Sequence, residues 1–115
     1  MPSLIFSYDA DKDWQEVRDD WPGKAKAGEP GLVYKRLMPR EPGMPNVNHI
    51  RYDPHHFEPP HSHEEDELFY IVGGEMGVGD RTLRPGDTIY IGRDTRYSAR
   101  AGAEGCDFVR VGLPL

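Results

Sequence analysis

The chain has 115 residues, enough to bury one apolar core but not two, so a single site in a single domain is expected. Its formal net charge of -6 argues against electrostatic binding to nucleic acid or to an anionic membrane surface. The only cysteine, Cys106, cannot close an internal disulfide, and no apolar run approaches the ~20 residues that a membrane span requires.

The N-terminus, "MPSLIFSYDADKDW", turns acidic after a short apolar patch and shows neither a basic start nor a cleavage site, so a soluble, cytoplasmic protein is expected. In "DADKDWQEVRDDW" the spacing of Trp14, Val17 and Trp21 predicts one short helix, ended by Pro22-Gly23. "GKAKAGEPG" then reads as a connector. The division expected is an N-terminal extension over residues 1–30 and a barrel domain over residues 31–115.

From Gly31 onward the pattern is all-β. Strands are predicted at Gly31 to Met38, Asn46 to Tyr52, His61 to His63, Leu68 to Val72, Met76 to Val78, Thr88 to Ile91, Tyr97 to Ala101 and Asp107 to Val111. Between them lie "PREPGMP", "DPHHFEPP", "VGGE", "RPGD" and "GAEG", rich in residues that fix φ or tolerate positive φ. Many short strands so punctuated suggest a sandwich or barrel. Inner-wall candidates are Phe69, Ile71, Met76, Tyr90 and Phe108.

All five histidines fall within residues 49 to 63. In a strand, His61 and His63 share a face, so their rings can converge on one ion, and a reversal through "EED" brings Glu67 towards them. On the strand that follows, Glu67, Phe69 and Ile71 share one face, and Leu68, Tyr70 and Val72 the other. Two imidazoles and a carboxylate suit Fe(II), Mn, Ni, Co or Zn. The alternative is a solvated turn kept in water by Glu64, Glu65 and Asp66. His49 shares a strand face with Val47 and Arg51. If that face looks inward, His49 can serve as a further imidazole and Arg51 can hold a substrate carboxylate; otherwise both lie on an ordinary surface. His55 and His56 sit in a proline-flanked turn and are expected to be exposed. Cys106 reads as a small apolar residue.

These residues resemble the cupin superfamily of small antiparallel barrels. Its first motif, G(X)5HXH(X)3-4E(X)6G, lies on residues 55 to 74, where His61, His63, Glu67 and Gly74 match and His55 stands for the leading glycine. The second, G(X)5PXG(X)2H(X)3N, lies on "GDTIYIGRDTRYSARA". Only Gly86 matches there; Gly92, Asp94, Tyr97 and Ala101 replace proline, glycine, histidine and asparagine. The resemblance covers roughly residues 31 to 112. It implies an antiparallel double-stranded β-helix, a jelly-roll barrel with a short N-terminal helical or irregular segment. It also implies one divalent transition metal at His61, His63 and Glu67, with iron foremost and Mn, Ni, Co or Zn as alternatives. Tyr97 stands where cupins commonly supply a fourth ligand. It is read as a ligand, as a proton donor or base beside a three-ligand site, or as a packed tyrosine. Tyr97 and Arg51 are the candidate catalytic residues. The function implied is a metal-dependent enzyme, a dioxygenase, isomerase, decarboxylase or lyase acting on a small oxygenated or carboxylate substrate. The alternative is a non-catalytic ligand or metal sensor. Since cupins commonly pair through N-terminal strands, "SLIFSY" marks a homodimer as the expected assembly.

Overall fold

The computed structural model describes residues 3–17 and 30–114. Among them, eight strands follow a single-turn 3-10 helix at Asp9–Asp11: β1 Gln15–Glu16, β2 Leu32–Met38, β3 Asn46–Tyr52, β4 Phe57–His61, β5 Asp66–Val78, β6 Arg81–Leu83, β7 Thr88–Ile91 and β8 Tyr97–Leu113. All pairings are antiparallel. The main path through the sheet is β1-β2-β3-β8-β5-β6, with β4 on β8 and β7 on β5. No helix among the described residues is long and apolar enough to cross a membrane.

Two long strands form the spine. On one side β8 pairs with β5. On the other it meets β4 through Tyr97 to Arg100, then β3 through Cys106 to Gly112. In the same way β5 pairs with β7 near Glu67 and with β6 near Met76. The change of neighbour requires a bend, and glycines supply it. Gly74 (φ 69°) and Gly105 (φ 79°) take backbone conformations that L-residues disfavour. They also nest: a Cβ on Gly74 would collide with the Gly105 carbonyl oxygen. The glycines that read as turns between predicted strands therefore bend two continuous ones. Leu68 to Val72 joins Met76 to Val78, and Tyr97 to Ala101 joins Asp107 to Val111. A two-residue loop at Gly79 and Asp80 closes the β5–β6 hairpin.

Alternation decides which side chains face the interior. On β5, Glu67, Phe69 and Ile71 are buried, while Tyr70 and Val72 are exposed. On β3, Asn48 and Ile50 face the interior, and Val47, His49 and Arg51 face the other way. Phe69, Ile71, Met76 and Phe108 form the centre of the core, joined by Leu32, Ile50 and Tyr52. Tyr90 does not join them. It pairs with Leu68 on the outward parity of the β5–β7 ladder and is exposed.

Over its described part the predicted N-terminal helix is reduced to the single 3-10 turn at Asp9–Asp11. Docking of Trp14 on the outer face of the sheet overrides the helical spacing. Its ring lies edge-on to His49 at 4.8 Å, with Lys35 Nζ at 4.8 Å and Arg51 Cζ at 4.4 Å from its centroid. Gln15 and Glu16 then pair with Tyr34 and Val33. Trp21 and the connector up to residue 29 lie outside the described residues.

Candidate functional site

The barrel encloses a cavity of about 430 Å3 between β2, β3, β5 and β8. Tyr34, Ile50, Tyr52, Phe69 and Phe108 give it apolar walls, and one end is polar. That combination suits a small ligand. His61, His63, Glu67 and Tyr97 meet at the polar end.

His61 ends β4 and His63 lies two residues beyond it, so the strand expected over His61 to His63 runs instead over Phe57–His61, within what read as a connector. The rings are still neighbours, with centroids 4.9 Å apart and planes perpendicular. His61 Nδ1 lies 2.7 Å from the Pro59 carbonyl oxygen, so it carries the hydrogen and Nε2 presents a lone pair. His63 Nε2 approaches Glu67 Oε1 at 3.7 Å. Burial depresses the His63 pKa and outweighs the raising effect of Glu67. The contact is therefore one of neutral imidazole with carboxylate, and not an ion pair.

Glu67 is 1 % exposed and both its oxygens are engaged. The Tyr97 hydroxyl donates to Oε1 at 3.1 Å and Arg110 Nε donates to Oε2 at 2.6 Å. Burial first, and then the Glu67 charge and hydrogen bond, raise the Tyr97 pKa far above that of a free phenol. Tyr97 thus stands here as a protonated donor. Its ring packs at 4.6 Å from that of His61.

Behind Glu67 lies an ionic network that the sequence reading missed. Arg110 also donates to Asn46 Oδ1 at 2.8 Å and to Glu65 Oε1 at 2.9 Å, and Glu65 accepts a two-pronged bond from Arg40 at 2.7 and 2.8 Å. Burial pushes the Glu65 carboxyl up, but the bonds from Arg40 and Arg110 outweigh it and hold it below its ordinary value. Glu65 is therefore no solvated connector residue. A signal for Arg110 was present: it has the parity of the buried Phe108, so an arginine faces the interior from an apolar strand.

Other expected residues fall elsewhere. Arg51 does not reach the cavity; it bonds Asp107 at 2.8 and 3.1 Å on the outer face, which ends its candidacy as a substrate-binding or catalytic group. His49 lies on that face too, with Nδ1 2.5 Å from Asp9 Oδ2. His55 is exposed as expected, but His56 is 2 % exposed, its Nε2 3.0 Å from Glu58 Oε2 and its ring against Tyr52. The turn conceals His56 because the Glu58 carboxylate, also buried, compensates it. Cys106 is buried as a small apolar residue.

The donor types at the polar end fit a divalent transition metal: a free imidazole Nε2, a neutral imidazole and a carboxylate oxygen. Among the described residues, however, no group of three or more such side chains stands ready as a cage. The Glu67 oxygens are taken up instead by Tyr97 and Arg110.

Comparison of the whole structure shows what class of barrel this is. KdgF from Halomonas sp. superposes with a TM-score of 0.75 at 24 % identity, covering 96 % of this chain and 95 % of that one. An RmlC-like cupin from Shewanella frigidimarina gives 0.75 at 18 %, covering 98 % and 93 %. The polyketide cyclase RemF from Streptomyces resistomycificus gives 0.73 at 24 %, covering 98 % and 80 %. The chain has the cupin fold. No protein-family model matches the sequence, and neither does any curated protein. The likeness at these identities is one of architecture.

Proposed function

We propose that the protein is a metal-dependent cupin enzyme acting on a small oxygenated or carboxylate substrate inside the barrel. The observation that carries this reading is the meeting of His61, His63, Glu67 and Tyr97 at one end of the cavity. His61 Nε2, His63 Nε2 and Glu67 Oε1 are the atoms that would hold the ion. When bound, the metal supplies a Lewis acid or a site for dioxygen, iron being foremost among the candidates. The chain's own groups do the rest. Pro59 fixes the His61 ring, Arg110 anchors Glu67 through Oε2, and the Tyr97 hydroxyl, relieved of Glu67 Oε1, is placed to give a proton to a substrate oxygen. Phe69, Phe108 and Ile50 keep bulk water from the reacting end.

A second reading, a non-catalytic barrel that binds a small ligand, is favoured by one feature: Glu67 is already satisfied by Tyr97 and Arg110. Elemental analysis of tag-free protein separates the two. The enzyme reading expects near-stoichiometric transition metal that is lost in His61→Ala and kept in Tyr97→Phe, with turnover lost in both. Absence of metal after reconstitution with Fe(II), Mn, Ni, Co and Zn would leave the binding barrel.

A further inference from the structure

One wall of the cavity carries a polar row. Arg36 of β2 faces Asn48 of β3 in register, and Asn48 faces Arg110 of β8. All three line the cavity, so their side chains stand on one face of three adjacent strands. Neighbouring strands lie roughly 5 Å apart, which makes the row a short ladder of hydrogen-bonding groups.

The groups of this row differ in how they are satisfied. Arg110 is committed to Glu67, Glu65 and Asn46, and the nearby Arg40 to Glu65. Arg36 has no carboxylate partner among the described residues. Its guanidinium lies 5.9 Å from the Tyr34 ring centroid. Next to it, Asn48 Oδ1 is buried and accepts no hydrogen bond. A buried acceptor left without a donor costs free energy until something supplies one. An uncommitted cation and an unsatisfied acceptor one strand apart on a cavity wall thus describe the ligand that would complete them.

We infer that Arg36 and Asn48 form a subsite for a small hydroxy acid, with the carboxylate on the Arg36 guanidinium and a neighbouring hydroxyl donating to Asn48 Oδ1. The fork of the guanidinium matches two carboxylate oxygens, and the spacing of the strands matches a hydroxyl a bond or two further along the ligand. On an acidic chain, this mouth selects anions by local and not by net charge. The inference deepens the reading of the cavity as a substrate site, but the subsite is built without the metal end.

The test is calorimetric titration of the full-length protein, as purified, with three probes of one size: 3-hydroxybutyrate, butyrate (no hydroxyl) and 3-hydroxybutyramide (no charge). The hydroxy acid is expected to bind at least about tenfold more tightly than either of the others, the factor one good hydrogen-bonded contact confers. Arg36→Met should abolish its advantage over the amide, with Arg36→Lys intermediate because it keeps the charge and loses the fork. Asn48→Leu should abolish its advantage over butyrate. Neither variant should lower the melting temperature, since Arg36 is exposed and Asn48 Oδ1 has no partner to lose. His61→Ala separates this idea from the metal reading, because the order of the three probes should persist there even if metal is lost. Equal binding of the three, no binding of any, an Arg36→Met protein that still prefers the acid, or loss of the order in His61→Ala would each overturn the subsite.

Discussion

At the scale of single residues, Arg110 sets the electrostatics of the polar end. It is buried and faces two carboxylates that are buried as well, so removing it strands Glu67 and leaves Glu65 with Arg40 as its remaining cation. Breaking a buried pair in this way costs about 3–5 kcal/mol, far more than the net worth of the pair itself. Arg110→Met should therefore lower the free energy of unfolding by that order in a urea titration; a midpoint equal to that of the parent would show that Glu67 and Glu65 find other partners. Cys106 offers a second check. Burial foremost, and then the charges of Asp107 and Glu75, push its thiol up to about 12. At pH 8 the native protein should resist DTNB, and only denaturant should release the thiol. The sign of the linkage is fixed: an unfolded thiol ionises near pH ~8.5, before the native one, so this stabilisation is complete below that pH and erodes between it and about 12. Rapid labelling of the native protein at pH 8 would contradict the burial. At this scale the histidine and glutamate positions were legible because their spacing is local. Glu65 and Arg110 were not read together, because their meeting depends on the β5–β8 ladder, which spans some 45 positions of sequence.

At the scale of elements, most strands of the barrel were legible, but the short β1 and β6 were not, β4 was placed too late, and the continuity of β5 and β8 was missed. β-Branched and aromatic content between turn residues placed β2, β3 and β7 within a residue. In β5 and β8 the glycines at 74 and 105 look like the turn glycines at 79 and 86, since all share positive φ. What separates them is tertiary: a Cβ on Gly74 meets the backbone of Gly105, while one on Gly79 meets nothing within 4 Å. The two classes should respond differently to alanine. Gly79→Ala carries only the left-handed backbone penalty of about 1–2 kcal/mol. Gly74→Ala adds a steric clash with main chain that cannot swing away, for a total of roughly 2–5 kcal/mol. Equal losses in thermal unfolding would mean that the two strands do not cross as closely as Gly74 and Gly105 require. The N-terminal segment was misread for a related reason: the cations of Lys35 and Arg51 that flank Trp14 come from β2 and β3, and no local spacing announces them.

At the scale of the whole molecule, one apolar surface is left exposed among the described residues. Leu4, Ile5 and Phe6 are 85, 58 and 72 % exposed, and Tyr8 follows at 62 %. The extended segment that carries them joins no strand ladder among the described residues, yet it is pinned where it ends, by the bonds of Asp9 to Lys35 and His49 on the outer face. A pinned, extended, apolar segment with free backbone groups is a strand awaiting an edge, and the same segment on a second copy offers one by two-fold symmetry. We propose that two copies pair through Leu4 to Phe6. Light scattering should then give twice the 13.1 kDa of one chain, and Ile5→Asp with Phe6→Asp should return it to the single mass while leaving the barrel's melting profile above the dimer's dissociation range. A parent protein of single mass at micromolar concentration would sink the proposal. Because none of these residues lines the cavity, a monomeric result would leave the chemistry at His61, His63 and Glu67 untouched.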